Sequence, residues 1–249
     1  MQIHALWCHP RSVSTAFERI MRARGDLQVF HEPFMYHHYL TQTDRPFPDF
    51  EPEPDHPRTY ADIRAMILDA ARAQPVFFKD MAYYILKELP EDAAFRDAMS
   101  HAFLLRDPAE AILSYHKRDP DFACSELGID AQYHLYQALC DRGHDPVVIT
   151  ADQLRLAPEA TLKRYWDHVG LPFLPHAFEW DSEVPKGWES VVSWHSDVLS
   201  RGAIQAHDTT RDLQGELAAL GERFVGYDRH HRPFYDKMQD IAERQAHQK

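Results

Sequence analysis

Cysteine is scarce in this sequence, with three among 249 residues. Cys8, Cys124 and Cys140 lie far apart along the chain, which excludes a disulfide framework or a cysteine-rich zinc site. Widely spaced single thiols are typical of a reducing compartment, so we expect a cytoplasmic protein with reduced cysteines.

Basic charge and long apolar runs are also lacking. The chain has 27 lysine and arginine residues against 39 acidic residues, a formal net charge of −12. An acidic surface repels nucleic acid and anionic membranes, so we expect neither as a partner. No apolar run approaches the roughly 20 residues that cross a membrane, and no signal region is recognisable. The 44% of hydrophobic residues can form one sizeable core, which predicts a single domain over residues 1–249.

Two glycine-rich phosphate-binding motifs are absent as well. The sequence contains neither Gly-x-Gly-x-x-Gly nor Gly-x-x-x-x-Gly-Lys-[Ser/Thr], which excludes the usual dinucleotide fingerprint and an ordinary ATP-binding loop. Because the overall charge is negative, an anionic ligand would have to be bound by a few well-placed cations.

The most informative stretch follows residues 5–8, an apolar run that predicts a buried first strand. A turn rich in hydroxyl groups comes next, and apolar residues at helical spacing then predict a helix that ends at Gly25. The first amides of a helix have no partner inside it and attract anions. Arg11 adds a planar fork suited to phosphate or sulfate oxygens. The simpler alternative is that Thr15 and Glu18 form an ordinary capping box.

Polar residues also follow the next predicted strands. Glu32 comes after the strand predicted over residues 27–31, and Lys79 with Asp80 ends the strand that starts near Pro75. Ligands of open parallel sheets lie beyond the carboxyl ends of the strands. Glu32 is therefore a candidate general base, and its simpler alternative is a solvated or ion-paired glutamate. For Lys79 and Asp80 the simpler alternative is a local ion pair.

A fourth predicted strand, residues 102–105, ends in Arg106-Asp107-Pro108. Proline suits the first turn of a helix, and Ser114 lies about two turns along it. A guanidinium at the strand end and a hydroxyl along the helix can meet at one phosphate. An aspartate-capped helix start is the plain alternative.

Strands alternate with helices five times along the chain. This predicts an α/β fold with a doubly wound, mainly parallel five-stranded sheet and helices on both faces.

Residues 35–58 lack any periodicity, which predicts a lid or substrate loop. Adjacent His37 and His38 have no further histidine at ligand spacing, so we expect no metal site. Residues 92–99 are predicted to be helical, and residues 172–249 to form a cap with helices over 212–224 and 234–246.

Two of these motifs resemble those of sulfotransferases that use 3'-phosphoadenosine 5'-phosphosulfate (PAPS), in particular bacterial members. The family's phosphosulfate loop usually reads Pro-Lys-Ser-Gly-Thr-Thr after the first strand. Residues 9–16 fit it, with an arginine for the lysine and a valine for the glycine. The family also has Arg-Asp-Pro after a later strand, with a serine eight residues beyond the arginine. The resemblance covers most of residues 1–170 and implies a P-loop NTPase-like sulfotransferase fold.

The resemblance implies the positions that bind PAPS. The loop would hold the 5'-phosphosulfate, and the arginine and serine of the second motif would bind the 3'-phosphate. A C-terminal Arg-Lys-Gly of the family has only a partial match here. The implied cofactor-binding residues are Pro10, Arg11, Ser12, Val13, Ser14, Thr15, Ala16, Arg106, Ser114, Arg201 and Gly202.

The resemblance also implies a reaction, the transfer of a sulfonyl group from PAPS to a hydroxyl of a small organic or sugar acceptor. Family members place a glutamate base at the position of Glu32 and a sulfonyl-binding lysine near that of Lys79. Asp80 is the rival base, because it lies at about the position of a histidine base in many animal enzymes. Of the two, the positions along the chain favour Glu32 as the base. Arg11 would stabilise charge that develops in the transition state. No metal is expected, because a sulfonyl group carries less charge than a γ-phosphoryl group.

Two other functions stay open. A P-loop kinase of a small molecule would use a loop lysine and an aspartate that supports Mg²⁺, and the loop here has no lysine. A nucleotide-binding module without catalysis would need only the two phosphate sites. The acceptor is not set by the sequence, and a homodimer is left open.

Overall fold

The computed structural model describes residues 2–179, 188 and 211–247. Its centre is a five-stranded sheet in the order β2-β3-β1-β4-β5, and every neighbouring pair of strands is parallel. The predicted α/β fold with a parallel five-stranded sheet is confirmed. The strands are β1 (Ile3–Cys8), β2 (Gln28–His31), β3 (Val76–Met81), β4 (Met99–Leu105) and β5 (Val147–Thr150).

Helices surround this sheet. Among those described, none is long and apolar enough to cross a membrane. Short turns of other types are a π-helical turn (His38–Gln42) and 3₁₀ turns at Ala82–Tyr84, Leu89–Glu91 and Pro175–Phe178. The α-helices are α1 (Ser14–Ala23), α2 (Met35–His37), α3 (Tyr60–Ala73), α4 (Ala93–Arg96), α5 (Pro108–His116), α6 (Cys124–Leu127), α7 (Ile129–Cys140), α8 (Ala151–Leu156), α9 (Pro158–Val169), α10 (Leu213–Leu220) and α11 (Glu222–His247).

The carboxyl ends of the strands share one edge of the sheet. β1 and β3 are buried along their whole length, and their register sets Cys8 opposite Met81. The register of β2 and β3 pairs His31 with Lys79. The chain leaves β1 toward β2 and β3 on one side and later crosses to β4 and β5 on the other. This reversal beside β1 is the switch point at which open α/β sheets bind ligands.

Two local expectations were wrong. The helix predicted over residues 92–99 is only the short α4, which ends at Arg96 before the chain enters β4. Residues 35–58 were predicted to lack regular structure, yet they begin with α2 and the π-helical turn. These turns bury the rings of Tyr36 and Tyr39 in the core, an interaction that no local periodicity reveals.

The C-terminal helices also differ from the prediction. Instead of helices over 212–224 and 234–246, α10 ends at Leu220 and α11 continues unbroken through Pro233. A proline inside a helix removes one backbone hydrogen bond. α11 packs against α5, α7 and β5, and this packing outweighs the loss. Much of the predicted cap over residues 172–249 lies outside the described residues.

Two buried histidines are fixed in their neutral form by their hydrogen bonds. His101 Nδ1 accepts from Trp7 Nε1 at 3.1 Å, and its Nε2 donates to the Arg96 carbonyl at 3.0 Å. His9 Nε2 accepts from the Arg106 amide at 2.9 Å, and its Nδ1 donates to the Pro10 carbonyl at 3.0 Å. Burial lowers the pKa of His9 to about 3 and the pKa of His101 to about 4.

Acidification is therefore expected to destabilise the fold between about pH 6.5 and pH 4. In this window the unfolded chain binds a proton on each ring while the native fold keeps both rings neutral. The free energy of unfolding then falls by about 1.4 kcal/mol per pH unit for each histidine. Urea unfolding at a series of pH values measures this slope. His101→Gln should make the free energy of unfolding less dependent on pH, and His247→Gln, a change at an exposed residue, should not. An unchanged pH dependence in His101→Gln would contradict the neutral form assigned to the buried His101.

Candidate active site

The loop between β1 and α1 has an unusual backbone. Arg11 and Val13 adopt left-handed φ angles of 64° and 71°. This conformation suits glycine and is strained for a branched residue such as valine. Left-handed residues that alternate along a loop turn its amides to one side, as in anion-binding nests. Ser12 is buried, and within the described part of the chain its Oγ has no hydrogen-bond partner, which fits an oxygen of a bound anion.

Helix α1 begins at Ser14, and its N-cap residue is Val13, whose side chain makes no capping bond. Thr15 therefore lies inside the helix. The capping box of Thr15 with Glu18, the simpler alternative from the sequence, is wrong. Glu18 is instead completely buried and bonds to groups outside the first turn.

The two motifs meet at the carboxyl edge of the sheet. Arg106 Nη1 donates to the Arg11 carbonyl at 2.7 Å, and the Arg106 amide donates to His9 Nε2 at 2.9 Å. Arg11 Nε in turn donates to Ser114 Oγ at 3.0 Å. Arg11, Arg106 and Ser114, residues of separate segments, thus form one connected group at the switch point.

Acidic side chains hold the second motif in place. Arg106 Nε donates to Glu110 Oε2 at 2.7 Å, and Arg155 reaches the same oxygen at 3.2 Å. Burial and the neighbouring Arg155 lower the pKa of Arg106, so an anion bound there would relieve repulsion between two cations. Asp107 Oδ1 accepts from the Glu110 amide at 3.2 Å, so the aspartate-capped helix start expected as the plain alternative is present. Asp107 Oδ2 also accepts from Arg232 Nη1 on α11 at 2.6 Å.

Lys79 and Glu32 form a buried pair at the ends of β3 and β2. Lys79 Nζ donates to Glu32 Oε1 at 2.5 Å, and the lysine side chain is 1% exposed. Burial acts to lower the pKa of Lys79, but the carboxylates of Glu32 and Glu18 outweigh burial and raise it. Glu32 has a left-handed φ of 42°. Such strain in a non-glycine residue is concentrated at functional sites.

Asp80 has a different environment. It is fully buried, and both of its carboxylate oxygens accept backbone amides, from Phe34 at 2.7 Å and from Met81 at 3.1 Å. Burial and the charge of Glu32 raise the pKa of Asp80 well above its ordinary value. These bonds fix the chain just after Glu32, a structural role that the sequence did not suggest.

Aromatic rings from the predicted substrate loop contact the rings of Tyr83 and Tyr84. Tyr39 Oη lies 3.4 Å from Tyr83 Oη, and the His38 ring stacks on Tyr84. Burial, neighbouring tyrosines and the charge of Glu32 together raise the pKa of Tyr84. This largely buried aromatic cluster therefore lies within electrostatic range of the candidate base.

Arg201 and Gly202, the partial match to the family's C-terminal motif, lie outside the described residues. Among the described residues, Cys124, His230 and His231 place potential metal-ligand atoms within 4.8 Å of one another. His231 Nε2, however, already donates to the Cys124 carbonyl at 2.9 Å, which accounts for its position without a metal.

Sequence reasoning missed four residues that the structure brings to this site. His9 joins the two motifs, Glu110 holds Arg106, and Glu18 with His31 adjoins the Lys79 pair. His9 and His31 could have been noticed, because they directly precede Pro10 and Glu32. Glu18 and Glu110 carry no such signal, since a glutamate in a helix is usually solvated.

Comparisons with known proteins give a family and two curated relatives with a different kind of name. A family model described as a sulfotransferase domain matches residues 1–213. Two curated Arabidopsis thaliana relatives, branched-chain-amino-acid aminotransferase-like proteins 2 and 1, are 32% identical over 185 residues and 29% identical over 199 residues. The alignments cover 72% and 79% of this chain but 32% and 35% of the relatives, so the chain spans about a third of their length.

A solved structure supports the fold. The sulfotransferase domain from the Synechococcus PCC 7002 olefin synthase matches with a TM-score of 0.51 and 16% identity. The match covers 90% of this chain and 94% of that domain. At this level of identity the likeness concerns the fold alone.

Proposed function

Because this chain belongs to the sulfotransferase-domain family, as its two motifs predicted, we propose that it transfers a sulfonyl group from PAPS to a hydroxyl of a small organic or sugar acceptor. The observation that carries the proposal is the contact between the two motifs. Arg106 Nη1 donates a hydrogen bond to the Arg11 carbonyl, and Arg11 Nε donates one to Ser114 Oγ. A nucleotide with phosphate groups at its 3' and 5' positions needs two anion sites close together, and these residues supply them.

The residues present fit such a ligand. In the loop, the buried hydroxyl of Ser12 and the fork of Arg11 suit the phosphosulfate end, with the amides of residues 13–16 at the start of α1. Arg106 and Ser114 suit the 3'-phosphate, as the resemblance implied. PAPS would supply the sulfonyl group and leave as 3',5'-ADP.

Glu32 is the better candidate for the base. A general base needs a lone pair directed at the acceptor hydroxyl, and both oxygens of Asp80 already accept backbone amides. Glu32 would take the acceptor's proton as the new oxygen–sulfur bond forms. Lys79, beside it, can donate to a sulfonyl oxygen on which negative charge grows, as can Arg11. Asp80 would hold the backbone that carries Glu32.

The acceptor would lie between Glu32 and the aromatic cluster of residues 38, 39, 83 and 84. Tyr39 and Tyr84 are buried, so among these rings it is the half-buried Tyr83 that can offer an aromatic face with a hydroxyl group at its edge. Such faces suit the ring of a phenol or the apolar face of a sugar. Both acceptor classes therefore remain within the proposal.

Stabilisation by nucleotides tests the proposal without knowledge of the acceptor. A ligand at about 100 times its dissociation constant adds about 2.7 kcal/mol to the free energy of unfolding, which raises Tm by several degrees. We expect this shift with 3',5'-ADP and a much smaller one with 5'-ADP. A larger shift with 5'-ADP and Mg²⁺ would favour a kinase instead. No shift with either nucleotide would mean that the two motifs are ordinary helix starts.

A further inference from the structure

Glu18 is a carboxylate buried in the middle of α1, with 0% of its surface exposed. A buried carboxylate is unfavourable unless it is paired and hydrogen-bonded. Its Oε1 accepts from Arg22 Nε and from Trp188 Nε1, both at 2.8 Å. Its Oε2 accepts from His31 Nδ1 at 2.6 Å. A helix that packs on a sheet does not need such a group, so its presence calls for an explanation.

His31 stands between this carboxylate and the proposed base. Its Nδ1 is engaged by Glu18, and its other nitrogen, Nε2, lies 3.8 Å from Glu32 Oε1. The side chain of His31 is 1% exposed. Lys79 Nζ lies 4.0 Å from Glu18 Oε2 and 2.5 Å from Glu32 Oε1. Four titratable side chains thus adjoin one another around the proposed base, and Arg22 is the further charged group bonded to Glu18.

The charge on Glu18 is built into the fold. Burial acts to raise the pKa of Glu18, but His31 and Arg22 outweigh it and hold the pKa well below its ordinary range. A carboxylate that accepts from Nδ1 fixes the ring so that Nε2 faces Glu32. The same arrangement of carboxylate, imidazole and a third group serves proton transfer in other enzymes.

We propose that Glu18 and His31 are positioning residues for Glu32, with His31 taking the proton that Glu32 removes from the acceptor. This inference rests on the proposed function. As the acceptor oxygen bonds to sulfur, the bond between sulfur and the 5'-phosphate oxygen of PAPS breaks and 3',5'-ADP is the leaving group. The acceptor O–H proton passes to Glu32 in this step, and then from Glu32 to His31 Nε2. The imidazolium is stabilised by its bond to Glu18. After the products leave, the proton returns through Glu32 to water that enters the emptied acceptor site, so both groups regain their starting forms for the next turnover.

The experiment compares Glu18→Gln and His31→Gln with Arg22→Gln, which removes a different partner of the same Glu18 carboxylate. The affinity for 3',5'-ADP should stay within about twofold in all three, since none touches the phosphate groups. kcat should fall at least about tenfold in Glu18→Gln and His31→Gln and by less than about threefold in Arg22→Gln, given the usual size of general acid–base effects.

The pH dependence separates a proton role from a structural one. Loss of the Glu18 charge should move the acidic limb of the pH profile of kcat toward lower pH, because the variant lacks the carboxylate that would stabilise the imidazolium. NMR titration of the His31 ring in the protein without nucleotide should show the same displacement. If Glu18→Gln does not fold, His31→Gln carries the test, since it should remove the contribution of His31 to the acidic limb and leave only that of Glu32.

Two results would overturn the inference alone. In the first, Glu18→Gln leaves both the acidic limb of kcat and the His31 titration unchanged. In the second, His31→Gln has a normal kcat. In both cases the variant must still bind 3',5'-ADP. Failure of the wild type to bind 3',5'-ADP would instead overturn the proposed function, while the NMR titration would still report on the Glu18–His31 pair.

Discussion

Glu32→Gln is expected to lower turnover by about 10²- to 10⁴-fold, the usual contribution of a general base, with any acceptor that the wild type sulfonates. Glutamine has nearly the same shape and still accepts a hydrogen bond from Lys79 but cannot take a proton. The affinity for 3',5'-ADP should stay within about twofold, because Glu32 lies at the end of β2 and not in either phosphate motif. Steady-state rates and calorimetric titration of both proteins make the comparison.

Asp80→Asn is the matched control for this prediction. Its two oxygens accept the amides of Phe34 and Met81, and an asparagine supplies only one acceptor oxygen. One buried amide is left unpaired, at a cost of about 1–3 kcal/mol in the free energy of unfolding. The loss should therefore be one of stability, with residual turnover above that of Glu32→Gln. Normal turnover in Glu32→Gln together with none in a folded Asp80→Asn would reverse the assignment of the base.

Arg106→Ala has the second large expected effect, on nucleotide binding. Hydrogen bonds to charged groups contribute about 1.5–3 kcal/mol, so the affinity for 3',5'-ADP should fall by roughly 10- to 150-fold. The affinity for 5'-ADP should change little, because that nucleotide lacks the phosphate that Arg106 is proposed to bind. The ratio of the two affinities, measured by calorimetry, is the diagnostic quantity.

The structure makes some loss of stability expected in Arg106→Ala as well. The side chain also bonds to Glu110 and to the Arg11 carbonyl, so its removal disturbs both motifs. Damage of that general kind would weaken both nucleotides alike. Ser114→Ala is a milder companion, since it removes one hydroxyl and should lower the same ratio by a smaller factor. An unchanged ratio in Arg106→Ala would exclude the 3'-phosphate role.

Much of the fold could be predicted from local patterns. Short apolar runs bounded by charged or turn residues mark β1, β3, β4 and β5. Because helices connect these strands, a parallel sheet is the predicted arrangement. Strand ends that share one edge bring Arg11, Glu32, Lys79 and Arg106 to the same side of the sheet. These positions follow from chain order and sheet geometry, which is why sequence reasoning reached them.

What the sequence could not reveal depends on contacts between distant segments. Glu18 looked like a capping residue because its partners, His31 and Trp188, are brought to it only by the fold. Val13 adopts a left-handed conformation that valine does not favour, and only the loop's tertiary setting imposes it. α11 continues through Pro233 because packing against other elements outweighs a local helix-breaking signal.

The most direct measurement is transfer of a radiolabelled sulfonyl group from PAPS to a mixture of phenols, other small alcohols and sugars, with products separated by chromatography. We expect label in an organic sulfate ester, an equal amount of 3',5'-ADP, and loss of both products in Glu32→Gln. The proposal would be contradicted if the same acceptors instead gained a phosphate group from ATP and Mg²⁺, or if Glu32→Gln transferred the label as fast as the wild type.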